Sequence, residues 1–515
     1  MSKKEDIPTE ETTSITKGKI YRYLHAVDAL GVEERGIERV TPEERLGGPV
    51  WKRYVDVLGL WFAGCGGVTT MSPFFYPTLS YGLSMKQSLI AGLIGINLGC
   101  LVPAYCATMG PKSGCRQMVT ARFIFGQWGV KFIALIGILG GIGWSVVNCV
   151  VGGQMLSAIS GTPLSTGIIV VVVVSWVIAV FGIRVLLRFQ TAVAIPTNLA
   201  ILLFYIVVGK KTGYISQSNA MARELGYSSL TRTGNWLSYF TIAYSTTATW
   251  GGSASDYYIL FPDNTSDLKV FLVTFFGIAV PSNFAAIVAT LAGSIAYSNT
   301  KWADAYSKYS IGGIMAEAFS VWGNFGKFVV VVLYISLACN TIINTYSGAF
   351  SFQLIDVYLA RVPRWIWATS ISAIYLACSL AGREHLSDII GYVLPMLGYW
   401  ISMYIALLLE ENFLFRRKNA REIHYREFEG DEKSSFYSWE KWDKPKYRTA
   451  GFACALSFGC GVVGAVMGMN QKYYIGPISK KIGEFGGDIG MWLCMGFTAV
   501  TYPGLRWLEL KKMGR

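Results

Sequence analysis

Long charge-free apolar runs alternate with short polar stretches along most of the chain. Ile168 to Phe181, Phe271 to Ala289 and Phe328 to Ala338 carry no charged residue, and with their flanks they reach the roughly 20 residues a helix needs to cross hydrocarbon. A barrel strand would alternate inside and outside over about 10 residues, and these runs do not. The pattern therefore predicts an all-α polytopic membrane protein of about twelve spans: 55–77, 86–109, 128–158, 166–186, 191–208, 235–260, 269–296, 326–352, 364–382, 388–409, 449–470 and 485–508.

Loop charges set the expected orientation, because Lys and Arg collect on the cytoplasmic side. Residues 1–54 are polar with no signal-peptide pattern, and are read as a cytosolic tail. Lys112, Arg116 and Arg122 follow the second span, Arg184 and Arg188 the fourth, Arg361 and Arg364 the eighth. Arg416, Arg417, Lys418, Arg421 and Arg426 make 410–448 a basic cytosolic loop, and the tail 509–515 carries Lys511, Lys512 and Arg515. After the sixth span, Asp263 and Asp267 outweigh Lys269 and break the rule. On balance both termini are expected in the cytosol, which would leave the triplet Asn264-Thr-Ser266 unglycosylated.

Two spans are interrupted at matching places. The first holds Gly64, Gly66, Gly67, Thr69, Thr70, Ser72 and Pro73; the sixth holds Ser245, Thr246, Thr247, Thr249, Gly251, Gly252, Ser253 and Ser255. Glycine costs about 1 kcal/mol in a helix interior and proline about 3, so such clusters unwind the helix. Unwound backbone at that depth has to be buried in protein or line a cavity. Close packing through small residues also produces membrane glycines, but a matched pair beside hydroxyls points to a binding site between two inverted repeats. The repeats would be 55–208 (spans one to five) and 235–409 (spans six to ten), a five-plus-five arrangement like that of LeuT-type transporters, with two extra C-terminal helices at 449–508.

The third span of each repeat carries polar side chains among apolar ones: Trp144, Ser145, Asn148 and Gln154 in one, Asn340, Thr341, Asn344 and Ser347 in the other. Residues four apart share a helix face. An amide in hydrocarbon must be bonded, so these are interhelical ties or ligand contacts. With Trp144 and Trp250 near the expected centre, a planar ring could stack on indole while amides read its edge. The implied partner is a small aromatic heterocycle.

The composition narrows the function. Of 515 residues, 52% are apolar and 15% charged, and mean hydropathy is +0.40. The net charge of +13 follows from basic residues gathered in alternate loops, which argues against nucleic acid. Ten cysteines, many inside apolar spans (Cys65, Cys100, Cys149, Cys339, Cys454), form no CxxC pair. His25, His385 and His424 stand in no His-Glu-x-x-His arrangement, so no enzyme is indicated. A channel would need a continuous polar lining or charged rings. Nothing implies a metal, a cofactor or an obligate protein partner. Intramembrane charges are few: Asp56, Lys327 and Asp256. Asp256, ending the broken sixth span, is the candidate for proton or cation linkage, and a capping role at the interface is its alternative.

Ordered motifs run from Gly36 onward: Gly36-Ile-Glu-Arg-Val40, Pro42-Glu-Glu-Arg45, Met109-Gly-Pro-Lys-Ser-Gly-Cys-Arg-Gln-Met118, Gly143-Trp-Ser-Val-Val-Asn148 and Ala254-Ser-Asp-Tyr257. In these the chain resembles the fungal purine-cytosine permeases, of the nucleobase-cation symporter family. The resemblance implies twelve helices in the five-plus-five inverted fold, with Trp144, Asn148, the broken sixth span and the Asn340 segment at the substrate. The chain departs from the cytosine-purine carriers at Ala63-Gly-Cys65, where they show Ser-Ala-Asn, and at Asn340-Thr341 and Ile343, where they show Asn-Asn and a following proline. In Gly114 to Arg122, Thr247 to Trp250, Asp256 to Pro262, Ile342 to Tyr346 and Gly398 to Tyr404 it is similar to the branch that imports vitamin B6 across the fungal plasma membrane. Expected binding residues are thus Trp144, Asn148, Trp250, Asn340, Thr341, Asn344, Thr69 and Thr70, around breaks at Gly64, Gly66, Gly67, Gly251 and Gly252. The expected solute is pyridoxine or a related vitamer moved with protons, and cytosine or a purine is the alternative.

Overall fold

The computed structural model describes residues 36–45, 47–416, 437 and 439–514, apart from the side chains of Val357 and Lys446. His25, Arg417, Lys418, Arg421, His424, Arg426 and Arg515 lie outside the described residues, as does most of the expected N-terminal tail.

The apolar runs fold as helices. We number the long ones α1 (Val50–Cys65), α2 (Met85–Ala107), α3 (Gln117–Ser160), α4 (Leu164–Phe181), α5 (Ile183–Gly209), α6 (Ser229–Ala248), α7 (Asp267–Ser298), α8 (Gly323–Ile355), α9 (Arg364–Gly382), α10 (Leu386–Glu410), α11 (Phe452–Gly468) and α12 (Gly490–Met513). Two further helices, Tyr214–Glu224 and the kinked Thr300–Phe319, join α5 to α6 and α7 to α8. A hairpin pairing Asn470–Gln471 with Tyr474–Ile475 follows α11.

Among the described residues, eight helical segments are long and apolar enough to cross a membrane. Large apolar side chains such as Ile195, Phe328 and Val500 face outward while Asn148, Thr341 and Gln190 are buried, the inverse of a soluble protein and the arrangement a lipid surround demands. The chain is a multi-pass membrane protein. Helices α1, α6, α11 and α12 fall outside the eight. The break cuts α1 to 16 residues, and α6 is rich in Ser and Thr; α11 has 17 residues, and α12 carries Arg506, Glu509, Lys511 and Lys512.

Burial sorts the helices into inner and outer. In the most apolar window, 78% of α10 but only 28% of α9 and 33% of α4 is buried, so α10 belongs to the centre while α4 and α9 face lipid. Packing is ordered around that centre: α1 lies on α5 and α7, α6 on α2 and α10, α8 on α3, and α11 on α12.

Several boundaries and charges differ from the sequence reading. Helix α3 begins at Gln117, eleven residues before the expected 128, and runs 44 residues through a break at Gly126. There φ is 68°, and a Cβ would stand 2.7 Å from the Ala450 carbonyl oxygen, so only glycine fits. Arg116 and Arg364, expected as loop charges, are buried: Arg116 lies 3.3 Å over the Phe350 ring, and Arg364 donates to the Ala179 and Val180 carbonyls ending α4. Arg416 is buried on Glu411 as well. The acidic exception after the sixth span has a partner, Lys112 pairing with Asp267.

Candidate functional site

At the first break the helix stops at Cys65, passes through Gly66 and an extended Gly67, and resumes at Val68–Met71. The freed backbone groups are taken up within the protein. The Phe62 carbonyl accepts from Gly66 N (3.1 Å) and Asn198 Nδ2 (3.4 Å). Gly64 O accepts from Asn340 Nδ2 at 3.2 Å, and Cys65 O from the Thr70 hydroxyl at 2.7 Å and the Ser282 hydroxyl at 3.4 Å. Val68 N donates to Ser336 Oγ at 3.0 Å. These bonds are what allow unwound backbone at membrane depth. Gly64 itself lies inside α1, which corrects its expected place in the break: a Cβ there would meet Ile343 Cδ1 at 2.7 Å, so it is a packing glycine.

After α6 the chain tightens into two single 3₁₀ turns, Thr249–Gly252 and Ala254–Tyr257, separated by Ser253. Gly251 is also a close-packing position, its missing Cβ 2.6 Å from Val102. Gly252 faces the Trp400 ring.

Between the breaks lies a cavity of about 690 Å³, its open mouth included, walled by α3, α8, α10 and the two broken segments. Thr69, Thr70, Trp144, Trp250, Asn340, Asn344 and Gly252 line it. Asn148 and Thr341 do not: both are fully buried behind the wall. Asn148 accepts from the Thr69 hydroxyl (2.7 Å) and donates to Asn340 Oδ1 (2.9 Å) and Thr341 Oγ1 (3.1 Å). Asn344 Nδ2 also donates to Asn340 Oδ1, at 2.9 Å. The amide layer thus ties α1, α3 and α8 together and presents its outer members to the cavity.

Trp250 packs edge-on against Trp61, with ring centroids 5.6 Å apart. The indole N–H groups of Trp144 and Trp400 are buried with no acceptor among the described residues. Trp400, Leu397 and Met118 line the cavity together with Gly137, Gly140 and Gly141, and sequence reasoning assigned none of them to the site. Ser253, Thr246, Thr249 and Ser347, noted there only as polar neighbours, join the wall too.

Asp256 stands outside this wall. Its Oδ1 accepts from Gln117 N at 2.7 Å, capping the positive end of α3. Gln117 reaches back to Ser255 N (3.2 Å) and donates to Tyr404 OH (2.8 Å), while Tyr257 OH meets Ser347 Oγ of the wall at 2.9 Å.

Residues 40–480 match the family described as permeases for cytosine/purines, uracil, thiamine and allantoin. The chain belongs to this permease family. A relative in Saccharomyces cerevisiae, the vitamin B6 transporter TPN1, is 46% identical over 95% of this chain and 89% of its own length. The purine-cytosine permease fcyB of Emericella nidulans is 29% identical over 94% of this chain and 90% of its own. Among solved structures, the nucleobase-cation-symport-1 transporter Mhp1, closed with bromovinylhydantoin bound, superposes with a TM-score of 0.62. That match covers 94% of this permease and 95% of Mhp1 at 12% identity, so it fixes the fold. These relatives are transporters, and this permease is not an enzyme.

Proposed function

We propose that this permease imports pyridoxine and related B6 vitamers across the plasma membrane, coupled to protons, by alternating access. The carrying observation is the cavity: indoles of Trp144, Trp250 and Trp400 surround it, and hydroxyls of Thr69, Thr249, Ser253 and Ser347 line it. Such a wall suits a flat ring bearing several hydroxyls. The 46% identity to a protein named as a vitamin B6 transporter supports the same reading.

In this proposal twelve spans cross the bilayer with both termini cytosolic, and the repeats 55–208 and 235–409 rock about the cavity. Trp144, Trp250, Asn340, Asn344, Thr69 and Thr70 contact the solute, while Asn148 and Thr341 hold Asn340 and Thr69 in place. Proton coupling is favoured because the carbonyls of Phe62, Gly64 and Cys65 already accept from protein donors, leaving them less available to a bare cation. Asp256 is the group we assign to it.

Cytosine or purine carriage is the second reading, favoured by the 29% identity to a purine-cytosine permease. Those bases need paired donors and acceptors, whereas Asn148 and Asn340 spend much of their amide capacity within the protein, on each other and on Thr69, Thr341, Asn344 and the Gly64 carbonyl. Labelled pyridoxine and labelled cytosine, offered in competition to cells lacking their own carriers, separate the readings. Saturable pyridoxine uptake is expected; cytosine uptake alone would overturn the proposal.

A further inference from the structure

Trp400 sits on α10 within Gly398 to Tyr404, a stretch with no polar pattern aimed at a ligand. It is 5% exposed, and its Nε1–H is buried without an acceptor among the described residues. Glycine at 252 clears its slot, since a Cβ there would stand 3.1 Å from the ring's Cη2, and Gly140 lies beside its nitrogen, where a Cβ would make an ordinary contact at 3.9 Å from Nε1. The indole therefore lies between α3 and the broken segment after α6, its N–H toward the glycine face of α3 that lines the cavity.

This segment of α10 is fixed by contacts on either side of Trp400. Tyr399 donates to the buried Asp488 carboxylate ahead of α12, Ser402 Oγ donates to Tyr244 OH on α6 at 3.1 Å, and Gly398 lacks the Cβ that would collide with Ser245 Oγ. An indole nitrogen can only donate. Leaving such a donor unpaired in a buried wall is costly, so the solute is expected to bring an acceptor to it.

We infer that Trp400 Nε1 donates a hydrogen bond to an acceptor atom on the edge of the solute that faces α10, making α10 a specificity-determining wall. The inference rests on the proposed carriage of a B6 vitamer, whose hydroxymethyl and ring hydroxyl oxygens are such acceptors. Trp144 Nε1 offers a second donor from α3, so a solute with acceptors on two edges fits.

Full-length protein carrying Trp400→Phe keeps an apolar ring and loses the N–H; Trp400→His keeps a ring N–H. Uptake is measured for pyridoxine and for analogues in which one oxygen at a time is replaced by hydrogen, and is normalised to protein at the membrane. Expected is a KM for pyridoxine raised roughly 10-fold by Trp400→Phe, the worth of one lost bond with its partner left unpaired, and partial recovery in Trp400→His. One deoxy analogue, poor on the unaltered protein, loses nothing further in Trp400→Phe. Equal KM values in the unaltered protein and Trp400→Phe for every solute overturn the inference. If Trp400→Phe does not reach the membrane, the His variant decides: a deoxy penalty that persists supports the bond, and its absence together with an unchanged pyridoxine KM refutes it. Failure of the unaltered protein to take up pyridoxine while taking up cytosine sinks the proposed function instead, and the same variants assayed on cytosine then test the Trp400 bond.

Discussion

The hydroxyl of Thr69, just past the first helix break, donates to Oδ1 of Asn148 on α3 across 2.7 Å. With both Asn148 amide protons committed to Asn340 and Thr341 on α8, three helices meet at one buried side chain. Interhelical hydrogen bonds in membranes average about 0.6 kcal/mol and reach about 1.7. Asn148→Ala is accordingly expected to lower stability by about 1–3 kcal/mol, read as a drop in the melting temperature of the solubilised protein, with KM for pyridoxine changed less than by Asn344→Ala, whose side chain is in the wall. A normal melting temperature with a large KM defect would place Asn148 at the solute.

The glycines divide by what their missing Cβ would touch. At Gly67 it would collide with Ser336 Oγ, which holds Val68 N; at Gly141 it would meet Asn344 at 3.6 Å, an ordinary contact. Gly67→Ala should push α8 off the break, cost about 1–3 kcal/mol as overpacking does, and abolish uptake. Gly141→Ala should fold as before and raise KM by narrowing the cavity. Uptake normalised to membrane protein distinguishes them, and an active Gly67→Ala would contradict the role given to the break.

Asp256 tests coupling. Asn at this position still accepts from Gln117 N, since Asn and Asp cap helices comparably, so Asp256→Asn should fold and reach the membrane. In proteoliposomes with an inward proton gradient it should equilibrate pyridoxine without accumulating it. Undiminished accumulation would reduce Asp256 to the cap seen at α3.

How far the sequence reaches follows from particular residues. The breaks were visible because Gly and Pro carry a large local cost, and the Asn layer because amides are rare in hydrocarbon. Which glycine breaks the helix was not: Gly64 stays helical while Gly66 and Gly67 do not, a difference set by the donors Asn340, Ser282 and Asn198 brought from other helices. Likewise Asn148 and Asn344 read alike, yet one is behind the wall and the other in it. Trp400 was illegible for a simpler reason. Trp176 is 36% exposed and Trp400 5%, though both stand in apolar sequence, because outward-facing and cavity-facing indoles have similar neighbours along the chain.

The C-terminal helices are fastened by buried charge to Glu411 in the turn that follows α10, and here removal of one partner has a calculable sense. Glu411 Oε2 accepts from Tyr502 OH (2.7 Å) and Arg506 Nε (3.0 Å), and Oε1 from Arg416 Nε (2.7 Å). Arg506 continues to Glu509 at 3.1 Å, which in turn caps α11 through Gly451 N and Ala453 N. Breaking a buried pair by deleting one side costs about 3–5 kcal/mol, while replacing both sides with apolar groups is often near neutral. Glu411→Gln should therefore strip much of the folded protein from the membrane, and Arg506→Met should do the same. The double variant Glu411→Gln/Arg506→Met should be less destabilised than the two single effects added, by more than about 0.5 kcal/mol. Melting temperatures of the four proteins close that cycle; strict additivity would mean that Glu411 and Arg506 act separately, with Arg416 and Tyr502 carrying the carboxylate.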